Sequence, residues 1–364
     1  MRRLLFLLFL FVLCATLPGR AEGGFLRFCH KVKNYVDSAD YKGTEPGYLY
    51  RPPQGFVAYT NAYFTGTHIN GKYDVSNLMD GKSDLKASLN TRLATMFSAG
   101  LSYRGWGLSY SADYSRYDDS EWCFMSYGRT RGLELRIHRA NSLSGPVTMQ
   151  YPGMSRPLEV EANDFRQRTA LVNFYWVFND KRFSLPAAMT HTVVQLRSAG
   201  SWLAFANYRH SSLRVTANND LSQILGKAAI EQGLNERSDF NRMSQSQVSV
   251  GGGYAYNLAF AQGHCLLHSS FTPMVSVWHR NRAYYLDYQK AQDGSWELQP
   301  GESDIAFHQK FTVNGAMHLN FIYNSMGRWL AGAMGVMNID WLPGNYLTLY
   351  TFDWSVRCFV GFRF

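Results

Sequence analysis

Charge is scarce in this chain, and so are long apolar runs. Charged residues make up 17% of its 364 positions, against about 25% in typical soluble domains. A helix that spans a bilayer needs about 20 consecutive apolar residues. The longest uninterrupted run, Leu4 to Leu13, is too short for that, and no later stretch is long enough. A helical membrane anchor is therefore excluded. Cysteine numbers five, at 14, 29, 123, 265 and 358, with no C-x-x-C spacing. The usual zinc-ribbon and thioredoxin-type patterns are absent with it. Nor is there an internal repeat or a break in composition that marks a second domain.

What is present begins with Arg2 and Arg3, the apolar run, and Gly19-Arg20-Ala21 after it. This layout predicts a secretory signal peptide over residues 1–21. A lipoprotein signal acylated on Cys14 is the rival reading, but Leu13 stands where a small residue is expected, and cleavage after Ala21 removes Cys14. An exported chain without membrane helices is either a soluble secreted domain or a membrane barrel. Aromatics, at 15% with 23 Tyr, 24 Phe and 9 Trp, favour the barrel. The formal charge of +9 falls to +6 without Arg2, Arg3 and Arg20. That balance suits anionic groups such as lipopolysaccharide phosphates or anionic solutes, and equally an ordinary basic surface. Nucleic acid is not an expected partner of an exported barrel.

Strands are legible by alternation, because side chains two apart share one face. From Tyr346 to Phe364 the even positions are Tyr, Thr, Tyr, Phe, Trp, Val, Cys, Val, Phe and Phe, while Asp353, Ser355, Arg357 and Arg363 fall among the odd ones. An apolar face in step with a terminal Phe364 predicts recognition by the outer-membrane assembly machinery. The same period appears at 305–323, 246–260 and 87–103. Weaker alternation marks 106–115, 168–178, 187–197, 202–214, 265–279 and 328–341. With 56–68 and 122–140, about 12 strands result, and 10–14 are compatible with the pattern. The predicted fold is an all-β, transmembrane antiparallel β-barrel over residues 55–364. Tight turns at 198–201, 261–264 and 324–327 contrast with long connections at 215–243 and 281–303, as expected of periplasmic turns and outer loops. One connection, 141–165, falls on the wrong side. Splitting 122–140 at Arg129-Thr130-Arg131-Gly132 corrects this only if another strand is recounted. Residues 22–54 read as a periplasmic N-terminal arm or a plug. Cys265 and Cys358 read as small apolar residues on strand faces. A disulfide between Cys29 and Cys123 stays open.

The stretch Phe174-Tyr-Trp-Val-Phe-Asn179-Asp-Lys-Arg-Phe-Ser184-Leu-Pro-Ala-Ala188, followed by Gln195-Leu-Arg-Ser-Ala-Gly-Ser201, resembles an uncharacterised outer-membrane barrel family of Bacteroidetes, a domain of unknown function. The resemblance implies a barrel and no activity.

Function must be argued from a site. Polar strand faces would bring Arg92, Gln195, Arg197, His308, Lys310, His318 and Arg357 into the lumen, against Asp113, Glu134 and Asp353. A basic lumen attracts anions, so the leading expectation is a porin-like, non-enzymatic barrel that passes or binds small anionic solutes, with no cofactor. A closed barrel filled by side chains is weighed equally. Two alternatives stand: a structural or assembly barrel acting through lipoprotein or lipopolysaccharide partners, and an outer-membrane lipid acyl hydrolase. The last rests on His210 and Ser212, a His-x-Ser pair that could activate a serine nucleophile, although the Asn expected after the Ser is replaced by Leu213. Gly66-Thr-His-Ile-Asn-Gly71-Lys72 resembles a phosphate loop, but Tyr73 replaces the magnesium-binding Ser/Thr; it reads as a Gly-rich first loop. His264, His268, His308 and His318 would need three convergent ligands to hold a metal, and none is expected.

Overall fold

The computed structural model describes residues 43–74, 84–91, 93–114, 119–150, 158–214, 238–290, 296–303, 312–324, 327–342 and 347–364. The expected signal peptide, Cys29, and the lumen candidates Arg92, His308 and Lys310 lie outside the described residues. In chain order the elements are β1 (Leu49–Tyr50), β2 (Phe56–Asp74), β3 (Asp84–Asn90), β4 (Ala94–Tyr103), β5 (Trp106–Asp113), β6 (Ser120–Tyr127), β7 (Arg131–Gln150) and β8 (Leu158–Val177). There follow the short helix α1 (Leu185–Met189), β9 (Val194–Gln195), β10 (Ala199–Arg214), β11 (Ser238–Phe260), β12 (Cys265–Lys290), β13 (Trp296–Ser303), β14 (Val313–Asn324), β15 (Trp329–Leu342) and β16 (Leu347–Arg363).

Twelve of these strands close an antiparallel barrel in the order β2, β4, β5, β6, β7, β8, β10, β11, β12, β14, β15, β16. Closure comes from β16 against β2, where Phe56 and Phe364 exchange backbone hydrogen bonds of 3.2 and 3.1 Å. Closing the sheet leaves it no free edge, the condition for strands to live in lipid. Outside this ring, β3 pairs with the far ends of β2 and β7, and β13 extends β12. The barrel therefore has a turn end, where Phe56 and Phe364 meet, and a loop end.

Outward positions are apolar and exposed. On β11 they are Val250, Tyr254, Tyr256, Leu258 and Phe260; on β14, Met317, Leu319, Phe321 and Tyr323; on β16, Val356 and Val360, with Phe364 just beyond its end. These are the apolar faces read from alternation. Exposure of so much apolar surface is costly in water and favourable in lipid.

The strand count holds, but two of its members differ. Residues 122–140 are split by a tight turn at 128–130 into β6 and β7, so the 141–165 connection moves to the loop end. The compensating loss is 187–197, which is no barrel strand. Between β8 and β10, residues 178–198 turn into the lumen instead of making a short turn. They contain α1 and β9, and β9 pairs with β1. Ser184 caps α1, its side chain accepting from the Ala187 N–H at 3.3 Å, with Pro186 in the first turn; this is a favourable helix start. The segment 183–195 is almost entirely buried. Phe183 and Leu185 pack against Tyr127, Tyr175, Val177, Leu203, Phe205, Ala255 and Met274. Ala187, Ala188 and Val193 pack against Val57, Leu266, Ile322, Leu330 and Phe359. The plug thus fills the turn half of the lumen and meets walls from both sides of the barrel. Of the expected N-terminal arm, residues 43–54 contribute β1 to the underside of this plug. The Gly66–Lys72 stretch is not a loop either: β2 continues through it to Asp74.

Candidate functional site

The plug is fixed to the wall by side chains that the polar inward faces supply. Asn257 donates to the Ser184 carbonyl at 2.8 Å and to Gln195 Oε1 at 3.2 Å, and its own Oδ1 lies 2.7 Å from His268 Nδ1. Gln195, fully buried, accepts from the Ser184 N–H and donates to the carbonyls of Arg182 and Arg197. Ser102 donates to the Thr190 carbonyl at 2.9 Å and Asn320 to the Ala188 carbonyl at 3.3 Å. Arg363 donates to Asn324 Oδ1 at 2.7 Å and to the His191 carbonyl at 3.1 Å. His191 stacks on Phe359 with ring centroids 4.6 Å apart. Burial, then the Arg363 charge, push its imidazole down to about 4 against a smaller opposing effect of a backbone hydrogen bond.

Above the plug, toward the loop end, lies a cavity of about 170 Å3. None of its lining comes from 178–198; Tyr175, Phe205, Met274 and Ala316, which pack on the plug, separate the two. Two charged clusters face it. In the first, Arg136 donates to Glu134 Oε1 at 2.6 Å, while Glu134 Oε2 accepts from Asn173, Tyr175 and Tyr127 at 3.2, 3.3 and 3.4 Å. Glu121 lies 4.0 Å from Arg136 and 3.7 Å from Arg357, whose guanidinium stands 4.4 Å over the Tyr63 ring. In the second, Arg209 is ion-paired with Asp340 and with Asp353, the latter at 3.4 Å. Thr67 donates to the other Asp353 oxygen at 2.7 Å. Buried charge is tolerated only when paired and hydrogen-bonded, and both clusters meet that condition.

The lining of this cavity is not basic. Among the described residues it carries five carboxylates, Asp119, Glu121, Glu134, Asp340 and Asp353, against the guanidiniums of Arg136, Arg209 and Arg357. Of the sequence candidates, His318 and Arg357 line the cavity. Arg197 does not: it is exposed at the turn end, 5.9 Å from the Tyr48 ring. Gln195 belongs to the plug. His210 and Ser212 do not bond to each other. His210 Nδ1 lies 2.8 Å from Ser246 Oγ, and Ser212 accepts from Arg242 at 2.9 Å. Both point outward, so they form no dyad in the chamber. Among the described residues no three His, Cys, Asp or Glu side chains converge as metal ligands. Cys123 is a free, buried thiol 3.8 Å from Glu134, and its suggested partner Cys29 is not among the described residues.

Residues 54–364 match the family described as Domain of unknown function (DUF4421). The chain belongs to that family. Among solved structures it is similar to the outer membrane protease OmpT from Escherichia coli, at 10% identity and a TM-score of 0.43, over 86% of this chain and 98% of that one. It is also similar to the outer membrane protein OprG from Pseudomonas aeruginosa, at 10% identity and a TM-score of 0.29, over 85% and 96%. A third is the translocator domain of the autotransporter NalP from Neisseria meningitidis, at 9% identity and a TM-score of 0.33, over 93% and 96%. The likeness is one of fold and brings no activity with it. No curated protein matches. This DUF4421 member is an outer-membrane β-barrel, and its short connections place the turn end toward the periplasm.

Sequence reasoning missed Arg136, Arg209, Glu121 and Asp340. The signal for Arg136 was available: once 122–140 is split, Glu134, Arg136 and His138 fall on one inward face of β7. Nothing in the sequence joins Arg209 to Asp340, which lie 131 positions apart.

Proposed function

We propose that this barrel is a non-enzymatic binding protein that holds a small zwitterionic solute in the chamber above its plug, and that it is not an open channel. The observation that carries this reading is a set of polar atoms in the lining without hydrogen-bond partners. They are the Nε atoms of Arg136 and Arg357, His138 Nε2, His318 Nδ1 and Asn314 Oδ1. These atoms are themselves covered, but the guanidiniums that carry two of them keep 21% and 14% of their side-chain surface open, and unpaired polar groups in such a lining call for water or a ligand beside them. The two guanidinium donors suit the anionic end of a solute. The surplus of carboxylates suits its cationic end. A simple anion, the expectation from sequence, would meet that surplus unfavourably. The cavity has room for on the order of ten waters, or for an amino-acid-sized molecule in their place. With the plug beneath, solute enters and leaves on the loop side.

Isothermal titration of the folded barrel in neutral detergent with alanine and glutamine, acetate, and ethylamine tests the reading. The zwitterions should bind, the single charges at least tenfold more weakly, and Arg357→Gln should weaken zwitterion binding at least tenfold. Equal binding of acetate, or no binding of any of them, overturns it.

A further inference from the structure

The outer wall carries a second feature, independent of the lumen. Strand register aligns the outward residues of β7, β8, β10, β11 and β12 into rungs. The rung Leu135–Val172–Tyr208–Val248–Trp278 is apolar and closes the lipid-facing band in this sector. On β11 the band runs from Phe260 to Val248, about 40 Å along the strand and about 30 Å along the membrane normal at a tilt of ~40°. The next positions toward the loop end therefore meet the headgroups of the outer leaflet.

Those positions turn basic toward the loop end. The first rung beyond the band is still apolar at Ile137 and Ala170 but brings His210 beside Ser246 and Arg280. The second reads Arg139–Arg168–Ser212–Ser244–Arg282. In the third, Arg166, Arg214 and Arg242 stand side by side on three adjacent strands. Neighbouring strands are about 4.8 Å apart and successive rungs about 6.7 Å. Seven guanidiniums thus share a face about 19 Å by 13 Å, with no carboxylate at any of its positions. Of these arginines, Arg139, Arg166, Arg168, Arg214 and Arg280 are exposed and form no ion pair among the described residues. Like charges directly opposite each other destabilise a sheet, so the chain alone gains nothing from setting Arg166 opposite Arg214. An external polyanion reverses that sign, and a guanidinium fork matches a phosphate bidentately.

We propose that this face is a binding site for the phosphate groups of an outer-leaflet glycolipid. Acyl chains would run down the apolar band past Tyr208 and Trp278, while phosphates sit against the second and third rungs. Ser212 and Ser244, between the arginines, offer hydroxyls to the same oxygens. The hydrogen bond from Arg242 to Ser212 already holds one guanidinium in the plane of the patch.

The full folded barrel in neutral detergent is incubated with bis-phosphorylated lipid A, with dephosphorylated lipid A, or with inorganic phosphate. Retained lipid is measured by native mass spectrometry and the melting temperature by heat-modifiable mobility. Phosphorylated lipid A should be retained and raise the melting temperature; the other two should do neither. Arg214→Gln should raise the lipid-free melting temperature, by removing the like charge opposite Arg166, and lower phosphorylated lipid A affinity at least tenfold. Equal retention of the two lipids, stabilisation by inorganic phosphate alone, or unchanged affinity in Arg214→Gln overturns the assignment. If that variant does not fold, the two lipids on the unsubstituted protein decide the matter.

Discussion

Arg363, fully buried on the last turn-end rung of β16, donates to the backbone carbonyl of His191 in the plug. The bond links the closing strand of the barrel to the segment that fills it. It holds His191 in the left-handed region, at φ 57°, where a non-glycine residue persists only when its surroundings hold it. The same guanidinium also reaches the Asn324 side chain and the Gly327 carbonyl. One residue thus ties β14, β16 and the plug together.

Arg363→Met should cost the barrel about 1–3 kcal/mol, because it leaves the His191 carbonyl buried without its donor. Urea unfolding followed by heat-modifiable mobility measures the loss. Amide exchange should show it concentrated in 184–195. A uniform loss over all strands would place the effect elsewhere.

Plug docking should weaken in acid. His191 is held near 4 in the folded chain, and an unfolded histidine titrates near 6.5. Above about 6.5 both states are neutral and the group has no effect. As pH falls from about 6.5 to about 4 the undocked state takes up a proton that the docked state refuses, and stability falls by about 3 kcal/mol. Amide exchange of the plug between pH 7 and 4 should accelerate accordingly. His191→Asn, which tolerates the same backbone conformation, should flatten the profile.

The Glu134–Arg136 pair allows a cycle. Glu134→Gln alone should cost about 3–5 kcal/mol by leaving Arg136 short of its partner. Glu134→Gln with Arg136→Met should recover much of that. Denaturant midpoints of the four proteins give the coupling; additivity would mean the two residues do not act as a pair.

Tyr254, outward on β11, 44% exposed and midway along the apolar band, should face hydrocarbon. Tyr254→Arg should cost about 2–4 kcal/mol in lipid, whereas an arginine in a polar lumen would cost less. Folding titrations in vesicles distinguish the two, and a neutral effect would contradict the assigned outward face.

The outer surface was legible because lipid imposes one rule on every strand: each second residue must be apolar. That rule exposed the lipid faces of β11, β14 and β16. The lumen obeys no such rule. Its turn half is lined by Val57, Leu266, Ile322, Leu330 and Phe359 because a plug covers them, and so inward positions there are apolar too. For the same reason 187–197 looked like a strand: Val193, Val194 and the residues around them are buried, but in a plug. The turn at 128–130 was visible at Arg129-Thr130-Arg131-Gly132, but a split there upsets the strand parity unless 187–197 leaves the barrel, and nothing in the alternation of 187–197 says that it does. Ion pairs across the chamber escape any sequence reading, since register and closure decide that Arg209 meets Asp340. The phosphate-facing arginines were each visible, yet only the pairing of β8, β10 and β11 sets three of them abreast.

Single-channel recording in planar bilayers tests most directly whether the plug keeps this barrel shut. The intact protein, shown to be folded by heat-modifiable mobility, should give no sustained conductance. Replacing residues 179–197 with a short glycine-serine turn should give discrete openings. Steady conductance from the intact barrel, or none from a folded plug-deleted one, would contradict the account.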